Sequence, residues 1–315
     1  MTSAPQPRDG PALVTVIVPA YNAGRFVAEA VRSAQAQTHP HVEILVVDDG
    51  STDDTAAQVQ ALADRDPRIR LIRQPNRGVA AARNRGLAEA RGAFVAPLDA
   101  DDRWHPEKLA RQLRAMEDEA VGMVYTGWER CDRDGRPLPD SARTPRVEGW
   151  LADRFVRSNL IACASVPLFR KACLDRVGGY DDHRPIEGAG CEDWDLYLRV
   201  AERYPVAAVP EPLVGYRQSD RSMSTDSVRM KRSYDRMIAR LVARRPALPP
   251  ALLRQSRHHF YRYLAGIARR NGRHLRAWYW HGRSAVTRPE AFVAEIPRRS
   301  AARLERVLPW GDRAR

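Results

Sequence analysis

Four short apolar runs govern what this chain can fold into: Val14 to Val18, Val42 to Val47, Ile69 to Ile72 and Ala93 to Leu98. Val14 to Val18 and Ala93 to Leu98 read as buried strands, Val42 to Val47 as a second apolar strand and Ile69 to Ile72 as a short third. Between them the periodicity changes. Phe26, Val27, Ala30, Val31 and Ala34 recur at helical spacing, and Val59 and Leu62 mark a second helix. Gly78 to Arg91 is alanine-rich and helical, with Gly92 suited to its C′ position. Strand and helix alternating through short connections predict right-handed crossovers and a mostly parallel sheet flanked by helices.

In an open α/β sheet, ligands bind beyond the carboxyl ends of the strands. The loops expected there are rich in chemistry. Pro19-Ala20-Tyr21-Asn22 follows the first strand. Asp48-Asp49-Gly50-Ser51 follows the second, with Ser51 and Thr52 read as helix caps. Asp99-Ala100-Asp101-Asp102 follows the fourth. A further acidic stretch, Cys191-Glu192-Asp193-Trp194, opens a later helix.

Strand alternation aims Asp99 and Asp101 to the same side, so two carboxylates can converge on one point. A divalent cation bridging phosphates takes one or two such carboxylates plus phosphate oxygens and water. The same acids can equally begin the helix expected from Pro106 to about Glu119, near its positive end. Tyr21 could pack on a base whose imide N–H Asp48 accepts. That assembles a nucleotide-diphosphate site without a glycine-rich phosphate loop, and argues against a dinucleotide dehydrogenase.

The rest of the chain reads as a continuation. A strand is expected from Gly122 to Gly127, and a turn at Asp132 to Gly135. Two short strands are expected at Val206 to Val209 and Leu213 to Tyr216. The four cysteines, Cys131, Cys163, Cys173 and Cys191, match no zinc or redox spacing and read as buried thiols. No apolar run approaches the roughly 20 residues of a membrane span. The polar N-terminus has no secretory h-region, so the expected compartment is the cytoplasm.

Charge divides the chain. Val228 to Arg315 holds 22 Lys+Arg against 5 Asp+Glu, whereas the whole chain is +13. The expected organisation is a disordered tail over 1–12, a catalytic domain over 13–225 and a basic helical region over 226–315.

Five segments resemble, in order, the motifs of the family 2 glycosyltransferases, inverting enzymes of the GT-A fold. They are Val-Ile-Val-Pro-Ala-Tyr-Asn (16–22), Val-Asp-Asp-Gly-Ser-Thr-Asp (47–53), Gly-Val-Ala-Ala-Ala-Arg-Asn-Arg-Gly (78–86), Leu-Asp-Ala-Asp-Asp (98–102) and Glu-Asp-Trp-Asp-Leu (192–196). The resemblance spans about residues 13–225. It implies a Rossmann-like, mostly parallel mixed sheet and transfer of a sugar from a nucleoside diphosphate, a UDP-sugar by first choice. The acceptor would be a saccharide or lipid-linked hydroxyl.

The resemblance also implies residue roles. Pro19 and Ala20 would shape the loop around the nucleoside, and Tyr21 would pack on the base. Asp48 would bond the base, with Asp49 shaping the turn. Arg83 would approach the diphosphate. Asp99 would contact the ribose beside Ala100, and Asp101 would hold Mn²⁺ or Mg²⁺, with Asp102 structural. Asp193 would be the catalytic base and Glu192 its neighbour. Family members often carry a histidine after the last core strand. Here Ser219 stands there, with Arg217 and Arg221 nearby to supply charge.

A nucleotidyltransferase, or a non-enzymatic polyanion binder working through the basic tail, are the other classes weighed. For the tail itself, packing onto the catalytic domain ranks first, peripheral membrane contact second and nucleic acid last.

Overall fold

The computed structural model describes residues 12–182, 190–217 and 226–291. The expected disordered tail, apart from Ala12, lies outside them, as do Ser219 and Arg221.

Strands β1 (Val14–Ala20), β2 (Val42–Asp48), β3 (Ile69–Arg73) and β4 (Phe94–Pro97) form the parallel half of an eight-stranded sheet. Every residue of β1 and β2 is buried, as strands covered on both faces require. The crossovers are α1 (Val27–Gln35), α2 (Thr55–Ala63) and α3 (Val79–Glu89). Gly92 is not the left-handed cap of α3 that its position suggests. It is glycine because a Cβ there would lie 2.7 Å from the Leu13 carbonyl and the Thr15 amide.

The second half is mixed. It comprises β5 (Arg103–Trp104), α4 (Lys108–Arg114), β6 (Met123–Cys131), α5 (Ala152–Arg157), β7 (Leu168–Arg170), α6 (Lys171–Val177), α7 (Glu192–Ala201) and β8 (Val206–Arg217). The strand order is β3-β2-β1-β4-β7-β6-β8-β5. Antiparallel β7 thus joins β4 to β6. Three expectations change here. The two short strands at 206–216 are one strand, which absorbs Pro210 and Pro212 by register shifts against β6. The first residues after the acidic loop are strand β5 on β8, not helix. The helix then covers only Lys108–Arg114.

The basic region folds as α8 (Ser227–Arg244), α9 (Pro250–Arg270) and α10 (His274–Thr287). Asp226 caps α8 by accepting from the Val228 and Arg229 amides. These helices pack onto the sheet domain, as the first-ranked reading held. Trp194 of α7 lies against Tyr234 and Phe260, whose rings stack 3.9 Å apart. One continuous apolar core runs from β1 through Trp194 and Phe260 to Trp280. Among the described residues, no helix is long and apolar enough to cross a membrane.

Candidate active site

The loops after β1 and β2 are sewn together. The Asn22 amide donates to Ser51 Oγ at 2.9 Å, and Asn22 Oδ1 accepts from the Thr52 amide at 2.9 Å. Ser51 and Thr52 therefore fasten the first loop instead of capping α2, which begins after Asp54. Asn22 sits at φ 48°, a left-handed conformation that asparagine tolerates. This holds Tyr21 outward, 52% exposed, with its ring free to receive a flat group. Pro19 and Ala20 are the buried end of β1. Ala20 lies in register with Asp48, and its carbonyl accepts the Asp49 amide.

The two aspartates of the second loop are used differently. Asp49 accepts from Gln74 Nε2 and from the Arg77 and Gly78 amides. It thereby shapes the approach to α3, as expected. Asp48 is fully buried; it accepts the Ser51 amide at 2.9 Å and faces Arg73 Nε at 3.4 Å.

The centre of the site is Arg83. Of Arg83 and Arg85 in α3 and Arg91 just beyond it, Arg83 alone is buried, 2% exposed. Its guanidinium donates to Asp99 Oδ1 at 2.7 Å and to Glu192 Oε1 at 2.9 Å. It also lies over the Tyr180 ring, 5.3 Å from the centroid. Its Nε has no partner among the described residues. Burial opposes the charge, but Asp99, Tyr180 and Glu192 outweigh that and hold Arg83 protonated.

Three carboxylates of the acidic loop part ways. Asp102 is buried and accepts from Ser165 Oγ (2.5 Å), Cys163 Sγ (3.3 Å) and the Arg217 amide (2.9 Å). Burial, then Asp101 and Asp99, push its pKa well up. Asp99, beside buried Ala100, is half-buried and held by Arg83. Asp101 is half-buried with its pKa raised to about 6, first by burial and then by Asp99. Arg217 offsets this only through space, since its Nε bonds the Asp101 carbonyl and its other nitrogens reach Glu29, Asp132 and Arg133.

That donor set fits a divalent cation. Asp101 offers hard oxygens carrying negative charge that its surroundings under-compensate. Among the described residues no three metal-ligating side chains converge, so a cation beside Asp101 would take one or two carboxylates and draw its remaining oxygens from ligand or water.

Across Arg83 lies the start of α7. Glu192 Oε2 accepts the Gly190 amide, which leaves Asp193 beside it. Asp193 has its pKa raised to about 7, first by burial and then by Glu192, with Arg83 opposing. Cys191 is a buried thiol whose amide donates to Ser233 Oγ, and burial pushes its pKa well up.

Two tyrosines join this constellation without having been foreseen. Tyr180 is locked by reciprocal bonds with Asn84. Tyr263 of α9, 5.9 Å from Phe260, keeps part of its side chain exposed while its hydroxyl is crowded, and its pKa is pushed up to about 12 by that desolvation, then by Cys191 and Asp193. Tyr180 stood in a glycine-flanked loop, and Tyr263 in an aromatic-basic run. Neither carries a local signal of where it ends up.

Residues 15–174 match the sequence model of glycosyl transferase family 2. The chain is 38% identical over 160 residues to the putative teichuronic acid biosynthesis glycosyltransferase TuaG of Bacillus subtilis (strain 168), covering 50% of this chain and 63% of that one. It is 30% identical over 194 residues to chondroitin synthase of Escherichia coli, covering 61% of this chain and 27% of that one. The chain thus spans less than two thirds of the length of these curated relatives. Among solved structures, the mannosyltransferase PcManGT from Pyrobaculum calidifontis, in complex with GDP-Man and Mn²⁺, superposes with TM-score 0.61 at 22% identity, over 98% of this chain and 83% of that one. S. aureus TarS 1–349 in complex with UDP-GlcNAc gives TM-score 0.56 at 17% identity, over 87% and 89%. At such identities the likeness is one of fold, the GT-A arrangement.

Proposed function

The chain belongs to glycosyl transferase family 2, and from that membership we propose that it moves a sugar from a nucleoside-diphosphate sugar to a hydroxyl of a saccharide or lipid-linked acceptor, inverting the anomeric centre. The observation that carries this reading is the double ion pair of Arg83. It ties Asp99, on the donor side, to Glu192, beside a carboxylate whose proton affinity is tuned near neutrality.

The donor's base packs on Tyr21. Asp48 is the carboxylate assigned to its imide: its Oδ2 is held only by a 3.4 Å contact to exposed Arg73, whereas the oxygens of Asp49 serve three donors. Pro19 and Ala20 floor the nucleoside pocket, and Asp99 with Ala100 meets the ribose. Arg83 lends positive charge beside the diphosphate. Asp101 would hold Mn²⁺ or Mg²⁺, which supplies Lewis-acid charge to the departing diphosphate when bound. Asp193 takes the proton from the acceptor hydroxyl as that oxygen attacks the face opposite the leaving group. General-base help of this kind contributes roughly 10²–10⁴-fold and works best with a pKa near the operating pH.

The catalytic unit on this reading is 13–225 and the basic helical region is 226–315, whose helices α8 and α9 buttress α7 through Tyr234 and Phe260. The donor is a UDP-sugar. The two structural neighbours carry UDP- and GDP-sugars, so a thermal-shift screen of UDP, GDP, TDP and CDP sugars with and without Mn²⁺ reads the base directly. The mechanism is tested by Asp193→Asn, which should abolish transfer while nucleotide affinity stays. Unchanged transfer would remove Asp193 from the role. Release of pyrophosphate in place of nucleoside diphosphate would identify a nucleotidyltransferase.

A further inference from the structure

Helix α10 is apolar on two opposite sides. Its inner side, Ala277, Trp280 and Ser284, is buried, and Trp280 stacks on Tyr261 of α9 at 5.7 Å. Its outer side carries Leu275, Trp278, Tyr279 and Val286, which are 88%, 76%, 54% and 83% exposed. With Gly282 these positions recur at i, i+3, i+4, i+7 and i+11. At about 100° per residue they occupy one arc of roughly 100°. Single exposed apolar residues are ordinary, but a contiguous stripe of them marks a surface that is covered.

The charge around the stripe indicates by what. From Arg269 to Arg288 the sequence holds six arginines and no acid. Arg269, Arg270, Arg273 and Arg283 are exposed, and Arg276 and Arg288 are half-buried. A second copy of this chain placed on the stripe would set like charges against each other, which is unfavourable. An anionic lipid surface satisfies both features. Leucine, valine, tryptophan and tyrosine enter the boundary between headgroups and acyl chains, while the flanking arginines meet the headgroup phosphates.

We propose that the outer face of α10 seats this protein on an anionic membrane surface, lying in the plane of the interface. The lipid-linked acceptor rests on the reading of the site given above; the membrane seat itself does not. The two are compatible in distance. Phe260 and Tyr261, adjacent on α9, touch Trp194 beyond Asp193 and Trp280 on α10. The base therefore lies about two helix spacings, on the order of 20 Å, from the seated face.

The test is co-sedimentation of the full chain with vesicles of phosphatidylcholine alone and of phosphatidylcholine mixed equally with phosphatidylglycerol. Wild-type protein should partition onto the mixed vesicles and not the neutral ones. The double variant Leu275→Ser/Trp278→Ser should lose at least about tenfold in partitioning, because both side chains leave water on binding. Both residues are exposed, so its melting temperature should match wild type. Arg276→Gln/Arg283→Gln should also weaken partitioning and make what remains less sensitive to salt.

Equal partitioning of the serine variant would overturn insertion of α10. So would a wild type that ignores both vesicles but sediments as a dimer that the serine variant breaks. Transfer to a soluble acceptor, measured in parallel, should be the same for wild type and variant. Its loss in both would fail the transferase reading while leaving the membrane result standing.

Discussion

Arg83 and Glu192 form a 2.9 Å ion pair across 109 positions of sequence, and the same guanidinium holds Asp99 at 2.7 Å. One buried cation thus joins the loop after β4 to the start of α7. Remove it and two carboxylates remain with no counter-charge.

Arg83→Ala should therefore destabilise the fold by about 3–5 kcal/mol, the range for breaking a buried pair from one side. Urea unfolding monitored by tryptophan fluorescence measures it. Arg83→Lys should recover only part, since an ammonium cannot fork to both carboxylates. A loss below about 1 kcal/mol for the alanine variant, the range of a surface pair, would mean the bridge is peripheral to the fold.

The Asp193 carboxyl, raised to about 7, sets a pH limb. If it is the base, kcat/KM should rise with pH and level off above about 7. Glu192→Gln removes the like charge and should move that limb to lower pH. The stability consequence has the opposite sense. A carboxyl whose folded pKa lies above its unfolded value binds more protons folded than unfolded, so its contribution to stability falls as pH rises from the ordinary carboxylate range to about 7. Asp193→Asn should accordingly melt higher than wild type at neutral pH while losing transfer.

Asp101→Asn should reduce metal-supported transfer by roughly 10²–10³-fold, the scale of losing an electrostatic clamp on a departing phosphate. Isothermal titration with Mn²⁺ and nucleoside diphosphate should show the same loss in binding. In wild type the metal affinity should fall as pH drops through about 6, because protonated Asp101 no longer offers an anionic oxygen. Chelation should abolish transfer and added Mn²⁺ restore it.

Asp102 separates structure from chemistry within the same loop. Asp102→Ala strands three donors, Ser165 Oγ, Cys163 Sγ and the Arg217 amide, and should lower stability by roughly 1–3 kcal/mol. Asp102→Asn preserves an acceptor and should keep both fold and metal affinity. Loss of Mn²⁺ binding in a well-folded Asp102→Asn would assign this residue to the metal.

Much of the site is written in local pattern. The buried strands β1, β2 and β4 declare themselves by apolar runs that end in Pro19-Ala20-Tyr21, Asp48-Asp49 and Asp99-Ala100-Asp101. Parallel pairing of those strands brings the loops to one edge by topology alone. The five ordered motifs are enough to identify the family. The asymmetry of charge marks out the basic stretch that forms α8 to α10, although these helices share one apolar core with the sheet.

Only the tertiary structure decides the rest, because it depends on contacts between residues distant in sequence. Arg83, Arg85 and Arg91 are alike in composition and position, and packing against Glu192 and Asp99 singles out which is buried. The insertion of β7 between β4 and β6, and the folding of Trp194 against Phe260, follow from nonlocal burial. So does the division of α10 into a buried side and a bare one. Its aromatic and basic residues are plain in the sequence. Which of them touch α9 and which face outward is set by the packing of Trp280 on Tyr261.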